Sequence, residues 1–482
     1  DGYMINVFDD NEKAAEIDRK NGRAILRWTP SDRWDISFAG DYMHTNDGQG
    51  YVKYFDGPNK TDRYEIAWDG TNFWDQESSG QALRLRYEAG GFDVLSVTTR
   101  RKWEADFGSD FDLSTLPFGD MIMNYDDHIL SQELRVSSHK ESTPFEWLLG
   151  LYGFKEDTDV KFDMAPMMQF RDTEVENKGY AVFGQGTYTF FERLHLTAGL
   201  RYDYLEIQGE QKFTNMGVEN KFRDNEDYSE LLPKASVAFD ITNGIMAYAS
   251  VAQGYLAGGY NYAYVTSNDN FAYDPEYTWN YEAGIKTAWL DKKLIINAAV
   301  FYIDIKDKQV IEWLPGGAMF DRDITNAGEA HSSGIELEVL ARPVQGLDLF
   351  AGFGYNKAEF DDWTTVEADG STFDFKGKDL PFAPNYTYNA GVQYRHDTGL
   401  FGRVDVAFVD DFFSDTKNES KIDSYTLVNL RLGYETERFD IVFWGKNIFD
   451  KEYASNGGQI GSQFMGLDGE PRMIGTTLTY RF

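Results

Sequence analysis

The sequence predicts an all-β transmembrane barrel, an antiparallel sheet with about 19 strands present of an expected 22 or so. First, apolar and polar residues alternate in run after run, which places apolar side chains on one face of each strand. Second, tight polar turns and longer connections follow one another in alternation. Third, aromatic residues make up 16% of the chain, with 36 Phe and 30 Tyr, yet no stretch approaches the roughly 18 apolar residues of a transmembrane helix. A membrane barrel turns the apolar face to lipid and the polar face to a lumen.

The last stretch, Tyr425 to Phe482, carries this pattern most clearly. It is predicted to form three strands, joined by a turn at Glu437-Arg438 and by a glycine-rich loop from Gly457 to Gly469. The apolar face persists to the aromatic carboxy-terminal residue. A soluble sheet would bury that face against a second layer, whereas a membrane barrel exposes it to lipid.

The connections fall into two classes. Nine tight turns contain the Gly, Pro, Asn, Asp or charged residues that close hairpins: Pro30–Arg33, Ala89–Gly91, Lys140–Pro144, Glu192–Arg193, Thr242–Gly244, Asp291–Lys292, Pro343–Gly346, Asp397–Gly399 and Glu437–Arg438. Nine longer connections alternate with them: Thr45–Glu77, Ala105–His128, Glu156–Glu176, Gln208–Asp227, Ala257–Pro275, Asp307–His331, Glu359–Ala383, Ser414–Ile422 and Phe449–Gly469. Short turns at one end and long loops at the other are typical of outer-membrane barrels, and the runs between them, about 10 to 14 residues, suffice for a tilted strand to cross a bilayer.

The strand count predicts the domain organisation. Residues 1–20 are expected to be the remnant of an extracellular loop, and residues 21–482 the barrel wall with its long extracellular loops. If the last strand ends at the periplasmic side, the first one, Asn21 to Thr29, runs downward from an outer loop. A barrel with a periplasmic amino-terminus begins with an upward strand, so three further strands would bring the wall to about 22. The residues from Asp1 onward do not have the pattern of a signal peptide, and we expect an amino-terminal portion to be missing.

Charge and residue usage exclude several functions. The net charge of -34 disfavours nucleic acid, because phosphate counterions are displaced by basic residues. Solvated loops account for this charge most simply; the alternative is bridging by divalent cations to an anionic surface. The absence of cysteine removes disulfides and thiolate sites. The six histidines are scattered without a close-spaced ligand pair, and His195 is expected to be satisfied by a polar neighbour in the lumen. We therefore expect no catalytic residues, no metal site and no cofactor.

Ligand binding is assigned to aromatic residues and one arginine near the outer loops. Aromatic faces with a few polar groups suit an organic chelate. The candidates are Tyr51, Tyr54, Trp74, Tyr255, Tyr260, Tyr262, Trp313, Arg322 and Trp363. The alternative is that these residues form the aromatic belt or pack the loops. A methionine cluster, Met121, Met123, Met164, Met167 and Met168, could hold a soft metal such as Cu(I), but flexible apolar filler is favoured.

Several segments together resemble one known family. They are Leu26–Asp32, Leu232–Ser236 with Tyr248–Asn261, Glu276–Lys286, Ile324–Ala330 with Gly334–Glu338, Lys446–Tyr453, and Glu470–Met473 with Tyr480–Phe482. On these segments the chain resembles the barrel of a TonB-dependent outer-membrane receptor of the ferric-siderophore type, and the likeness covers nearly the whole chain. The family's coupling box, globular plug and opening strands are not among these residues.

The resemblance implies active transport of a scarce nutrient, most simply a ferric siderophore, across the outer membrane of a Gram-negative bacterium. The implied partners are outer-membrane lipid and lipopolysaccharide, the cargo, and the TonB complex acting through the missing plug. Three alternatives stay open: another cargo such as cobalamin, a glycan or a soft metal; a structural or scaffold barrel; and a passive, cation-selective pore.

Overall fold

Nineteen antiparallel strands form the wall of the protein in a computed structural model, which confirms the predicted fold class. The structure describes residues 2–12, 14–48, 52–139, 143–262, 265, 267–313, 322–367, 370–460 and 463–481. The wall strands are β1 Ile17–Ser31, β2 Trp34–Asp47, β3 Asn72–Glu88, β4 Phe92–Asp110, β5 Asp120–Ser138, β6 Phe145–Met164, β7 Gln169–Phe190, β8 Leu194–Asn215, β9 Val218–Thr242, β10 Ile245–Leu256, β11 Glu276–Trp289, β12 Leu294–Lys306, β13 Glu329–Ala341, β14 Leu347–Asp362, β15 Tyr386–Arg395, β16 Leu400–Val409, β17 Tyr425–Glu435, β18 Phe439–Lys446 and β19 Met473–Tyr480.

Each wall strand pairs with the next wall strand along the chain, and the sheet curls into a barrel. Among the described residues, no ladder pairs β1 with β19, so the closure has one seam without backbone pairing. None of the described helices is long and apolar enough to span a membrane; the two present are single 3-10 turns, Ala165–Met167 and Asn268–Asn270.

The outer connections are numbered 1 to 9 in chain order: outer loops 48–71, 111–119, 165–168, 216–217, 257–275, 307–328, 363–385, 410–424 and 447–472. Short strand pairs form within these loops, between them, and between outer loop 1 and the residues before β1: Ile5–Asn6 with Glu65–Ile66, Gly259–Tyr260 with Ala272–Tyr273, Gln309–Trp313 with Arg322–Asn326, Thr364–Val366 with Thr372–Asp374, Phe412–Phe413 with Lys421–Ile422, Ala454–Ile460 with Gln463–Asp468, and Gln463–Asp468 with Val52–Tyr54. The tight turns lie at the opposite end of the wall, as predicted, although residues 140–142 fall outside the described ranges.

Three predicted outer loops are wrong. Ala105–His128, Glu156–Glu176 and Gln208–Asp227 are mostly strand, because the flanking wall strands continue through them to short turns. Wall strands β1 to β9 contain between 14 and 25 residues, whereas about 10 suffice to cross a bilayer. Backbone pairing does not need apolar side chains, so the ladders persist where charged residues replace apolar ones above the lipid. The predicted glycine-rich loop from Gly457 to Gly469 also contains paired backbone, because Ala454–Ile460 forms a ladder with Gln463–Asp468.

The faces of the wall follow from the register. Leu83 and Leu85 of β3 point outward with Tyr87, and so do Leu149 and Leu151 of β6, which leave more than half of their surface exposed. The inner face carries ion pairs within and between neighbouring strands, including Arg27 with Asp35, Arg403 with Asp405 and Arg395 with Glu435. His195 belongs to this set: its imidazole lies 2.9 Å from Thr189 Oγ1 and 3.0 Å from Asp240 Oδ2, which confirms the predicted polar neighbour.

Aromatic rings lie over glycines of the adjacent strand on the inner face. Among the described residues, seven such pairs are direct cross-strand partners: Gly150 with Phe183, Phe154 with Gly179, Tyr248 with Gly284, Phe301 with Gly334, Phe350 with Gly391, Phe401 with Gly433, and Trp444 with Gly475. A Cβ placed on any of these glycines would overlap the ring. Each ring therefore lies directly against the backbone of its partner glycine, and this close approach is possible because glycine has no side chain.

Outer loops fold back over the mouth, and their described residues bury three small cores. One contains Met4, Ala14, Ala15, Ile66 and Trp68, so residues that precede β1 pack against outer loop 1. A second lies between outer loop 5 and β8, and a third, which includes Phe360 and Phe375, lies between outer loops 6 and 7 and strands β12 to β14. The mouth is thus shaped by packed segments whose positions are fixed by apolar burial.

Candidate ligand-binding site at the mouth

An aromatic patch, defined as Trp74, Trp103, Phe107, Tyr125 and Tyr262, lies at the outer end of the lumen. The register from β3 to β5 has no shift, and it pairs Trp74 with Phe107 and Tyr125 with Ala105. Alternation from Leu83, Leu85 and Tyr87 places Trp74 on the inner face. Trp103 and Tyr125 share that face through the ladder, so four aromatic side chains of the patch come from three neighbouring strands.

The rings of the patch contact one another in two groups. Trp74 and Phe107 meet edge to face, with centroids 5.7 Å apart. Trp103 lies 5.4 Å from Tyr125, and Tyr125 lies 5.9 Å from Tyr262, again edge to face. Such pairs are favourable beyond their buried area. All four wall residues are half-buried and Tyr262 is 38% exposed, so ring surface remains open towards the lumen.

Outer loop 5 forms the border of the patch. Its residues Tyr260, Val265 and Phe271 pack with Ile207 and Phe213 of β8. The hydroxyl of Tyr260 donates to the carbonyl of Ile207 at 3.0 Å, and its ring stacks on Phe271 at 4.7 Å. This packing holds the loop against the inner face of β6 to β8 and leaves Tyr262, two residues further on, at the edge of the open surface.

Polar groups accompany the patch. The indole Nε1 of Trp103 donates to Gln76 Oε1 at 3.2 Å, and Thr158 Oγ1 donates to Asp127 Oδ1 at 2.7 Å on the same inner face. Arg171 is buried under outer loop 5, where its guanidinium covers the ring of Phe213 and donates to the carbonyl of Val265. The arrangement combines open aromatic faces with a few fixed hydrogen-bonding groups, which is the composition of a site for an organic ligand.

A polar junction next to the patch ties two outer loops together. The buried carboxylate of Asp110, at the outer end of β4, accepts backbone N–H groups of Gly70 and Asp112 at 2.8 and 3.0 Å, and also that of Leu113. Asp120 accepts the N–H of Thr71 at 2.7 Å. Burial raises the pKa of Asp110 to about 7. The carboxylates of Asp69 and Asp112 lie close to that of Asp110. The hydrogen bonds from backbone N–H groups to Asp110 and Asp120 hold outer loops 1 and 2 together, so we interpret this cluster as a loop junction.

The structure separates the predicted ligand-binding residues. Trp74 and Tyr262 belong to the patch. Tyr54 is half-buried and donates to the carbonyl of Asp112 at 3.0 Å, while Tyr255 stacks on Tyr277 at 6.5 Å, away from the contacts of the patch. Tyr51 lies outside the described residues, and so do the side chains of Trp313 and Arg322.

Two of the candidates need correction. Tyr260 is 4% exposed and Trp363 is 7% exposed, and Trp363 stacks on Phe375 with centroids 3.7 Å apart. Both residues pack loops, because nearly all of their ring surface is already covered by protein. Met164 is also buried and pairs across the sheet with Met121, in agreement with apolar filling.

Sequence reasoning missed Trp103, Phe107 and Tyr125. All three flank or lie within Ala105–His128, which was interpreted as irregular loop. The available signal was the continued alternation of Trp103, Ala105 and Phe107, which extends the inner face of β4 beyond the membrane.

Comparison with known proteins places the chain among receptors. A family model described as "TonB dependent receptor-like, beta-barrel" matches residues 5–448. The pesticin receptor of Yersinia pestis is 26% identical over 494 residues, which cover 98% of this chain and 69% of the receptor. The ferric-pyoverdine BN7/BN8 receptor of Pseudomonas putida is 24% identical over 74% of this chain and 42% of its own length. Among solved structures, the ferric yersiniabactin uptake receptor of Yersinia pestis superposes with a TM-score of 0.84 at 22% identity, over 99% of this chain and 73% of that one.

Proposed function

The chain belongs to the TonB-dependent receptor-like β-barrel family of the Gram-negative outer membrane, and from this premise we propose that it takes up a ferric siderophore. Several relatives carry names that denote receptors for ferric siderophores. The cargo is an iron chelate that is too large and too scarce for passive diffusion, so it has to be captured at the mouth of the barrel. The protein transports this cargo without altering it.

The observation that carries the proposal is the aromatic patch. Ferric siderophores are organic chelates that present flat, partly apolar surfaces and a few oxygen atoms around the metal. The rings of Trp74, Trp103 and Tyr125 can contact the apolar surfaces of such a chelate. Gln76 and Asp127 lie on the same inner face and provide polar groups near its oxygen atoms. The patch lies on the path from the mouth to the lumen, where a captured ligand would be held before transport.

Two partners follow from the proposal. TonB supplies the energy through the plug segment that fills barrels of this family, and the aromatic patch forms the wall side of the ligand site. Lipopolysaccharide surrounds the outer ends of β3 to β9, where the outward residues change from apolar to charged above the lipid-facing band.

Uptake of radioiron-loaded siderophores tests the proposal in cells that lack their own siderophore receptors and express the full-length receptor. We expect uptake that disappears when TonB is absent. Trp103→Ala and Tyr125→Ala should each weaken binding by about tenfold, because truncating an aromatic anchor in a binding site removes more than 1 kcal/mol or so. Trp28→Leu is the matched control, since Trp28 of β1 is 64% exposed on the lipid-facing side.

Three outcomes would redirect the proposal. Uptake that persists without TonB points to a passive pore. Binding of cobalamin, a glycan or Cu(I) by the purified receptor, with no binding of iron chelates, changes the cargo. Absence of uptake for every cargo, with the barrel correctly inserted, favours a structural role.

A further inference from the structure

The lipid-facing side of β6, β7 and β8 contains a groove of about 500 Å³. Its floor is formed by Gly184 and Gly186 of β7 and by Ala198 of β8, which pairs with Gly186 across the sheet. Its walls are the side chains of Phe145, Trp147, Leu149 and Leu200. We propose that this groove is a specific site for one acyl chain of a phospholipid.

The register places the groove on the outer surface of the barrel. Leu149 and Leu200 are 60% and 49% exposed and continue the apolar band that includes Leu151 and Tyr202. Gly186 and Ala198 occupy the same face, because each is two positions from a residue of that band. The groove is therefore continuous with the surface that contacts the bilayer, and the molecule next to it is a lipid.

The shape of the groove distinguishes it from the adjoining part of the band on β6 to β8. In that part large side chains meet across the strands, as where Val182 pairs with Leu151 and with Tyr202. In the groove, the two glycines have no side chain and Ala198 has only a methyl group, so the space between the walls is left unfilled. If this space stayed empty, the atoms that line it would lose dispersion contacts. A flexible acyl chain that enters the groove therefore makes more contacts than it would on the flat surface beside it. The lining side chains carry no charge, which suits a hydrocarbon chain and not a headgroup.

The position along the strands selects the leaflet. Phe145 is the first residue of β6, and Gly186 and Ala198 lie close to the tight turn at residues 191–193 that joins β7 to β8. Tight turns mark the periplasmic end of outer-membrane barrels. The inner leaflet at that end consists of phospholipid, which is why we assign the acyl chain to phospholipid and not to lipopolysaccharide.

Native mass spectrometry of the full receptor, stripped stepwise of lipid in detergent, tests the site. We expect the wild type to retain one phospholipid after the other lipids are lost. Ala198→Phe fills the groove from an exposed position and should lose this adduct, and Leu149→Ala removes one wall and should lose it more readily than wild type. Ala283→Phe is the matched control: Ala283 is an exposed alanine on the lipid-facing side of β11, between Tyr281 and Ile285, and its variant should retain the lipid.

A second measurement uses vesicles of phospholipids brominated on their acyl chains. Trp147 lines the groove, so the fluorescence lost in Trp147→Phe reports the emission of this one tryptophan. We expect the bromine atoms to quench that emission strongly in wild type and weakly in Ala198→Phe. Equal lipid retention by wild type and Ala198→Phe overturns the proposal. Retention of lipopolysaccharide in place of phospholipid, or a receptor dimer that disappears in Ala198→Phe, also overturns it, because the occupant is then a different one.

Discussion

Lys53 Nζ lies 3.2 Å from Asp468 Oδ2, and the two side chains are buried, 3% and 8% exposed, between outer loops 1 and 9. Around them Val52–Tyr54 pairs with Gln463–Asp468, and the backbone N–H of Tyr64 donates to Asp468 at 2.8 Å. We call this pairing the loop clasp. Outer loop 1 follows β2 and outer loop 9 precedes β19. The clasp therefore joins the two ends of the wall, where the described residues form no ladder between β1 and β19.

The ion pair should control the strength of the loop clasp. Removing one partner leaves a buried charge without its counterpart, which typically costs about 3–5 kcal/mol. Lys53→Met and Asp468→Leu should therefore each speed amide hydrogen exchange in residues 52–54 and 463–468. The double variant should exchange more slowly than either single variant, because two apolar side chains leave no orphaned charge. Exchange in the double variant that equals the sum of the single effects would show that the two residues act independently. The exposed pair of Lys20 with Asp18 is the control, since Lys20→Met should leave the clasp unchanged.

The aromatic–glycine pairs of the inner face should contribute to the stability of the barrel. Gly150→Ala places a Cβ within the ring of Phe183, and overpacking of this kind costs about 1–3 kcal/mol. We expect a lower temperature at which the folded barrel converts to the slower-migrating unfolded band in gel electrophoresis. Phe183→Leu in the same chain should restore part of the loss, because the smaller side chain can move aside. Gly22→Ala on β1 has open space around its Cβ and should leave the transition where it is.

The sequence predicted the wall well and the mouth poorly, for physical reasons. Alternation such as that of Leu83, Arg84 and Leu85 reports a lipid-facing side directly, and tight turns such as Glu437-Arg438 report the strand ends. Above the bilayer both faces become polar, so hydropathy no longer distinguishes a paired strand from a loop. The predicted loop Ala105–His128 therefore ends β4 too early and begins β5 too late. Tyr260 and Trp363 are candidates because they are aromatic and lie in predicted outer loops. Their burial depends on packing between segments far apart in sequence, which no local pattern encodes.

The junction at Asp110 should respond to pH. Asp110 lies at the outer end of a 19-residue strand, beyond the part that crosses the bilayer. Burial raises its pKa to about 7 from an ordinary 3.8, so the folded state keeps its proton over a range in which the unfolded state has lost it. The junction is therefore most stable below about pH 4 and weakens as the pH rises through 7, by up to roughly tenfold per pH unit.

Hydrogen exchange of the amides of Gly70, Asp112 and Leu113 between pH 5 and 8, corrected for the intrinsic rate, measures this effect. Asp110→Asn has no proton to lose, so the pH dependence of these amides should flatten. Asp120→Asn alters a neighbouring carboxylate that also accepts a backbone N–H, and it should leave the dependence in place. A wild-type junction with equal protection across this range would contradict the assignment to Asp110.

Tyr260 and Tyr262 should separate packing from binding, because they are two residues apart and differ in exposure. Tyr260 is 4% exposed and donates to Ile207, whereas Tyr262 is 38% exposed and borders the aromatic patch through Tyr125. Tyr260→Phe loses one hydrogen bond, so we expect about 0.5–1.5 kcal/mol of lost stability and unchanged ligand affinity. Tyr262→Ala should leave the unfolding transition nearly unchanged and weaken ligand binding several-fold, by about 1 kcal/mol. Thermal unfolding and ligand titration of the same purified variants give both quantities. The opposite pattern, with affinity lost in Tyr260→Phe and kept in Tyr262→Ala, would place the ligand on the other side of outer loop 5 and away from the aromatic patch.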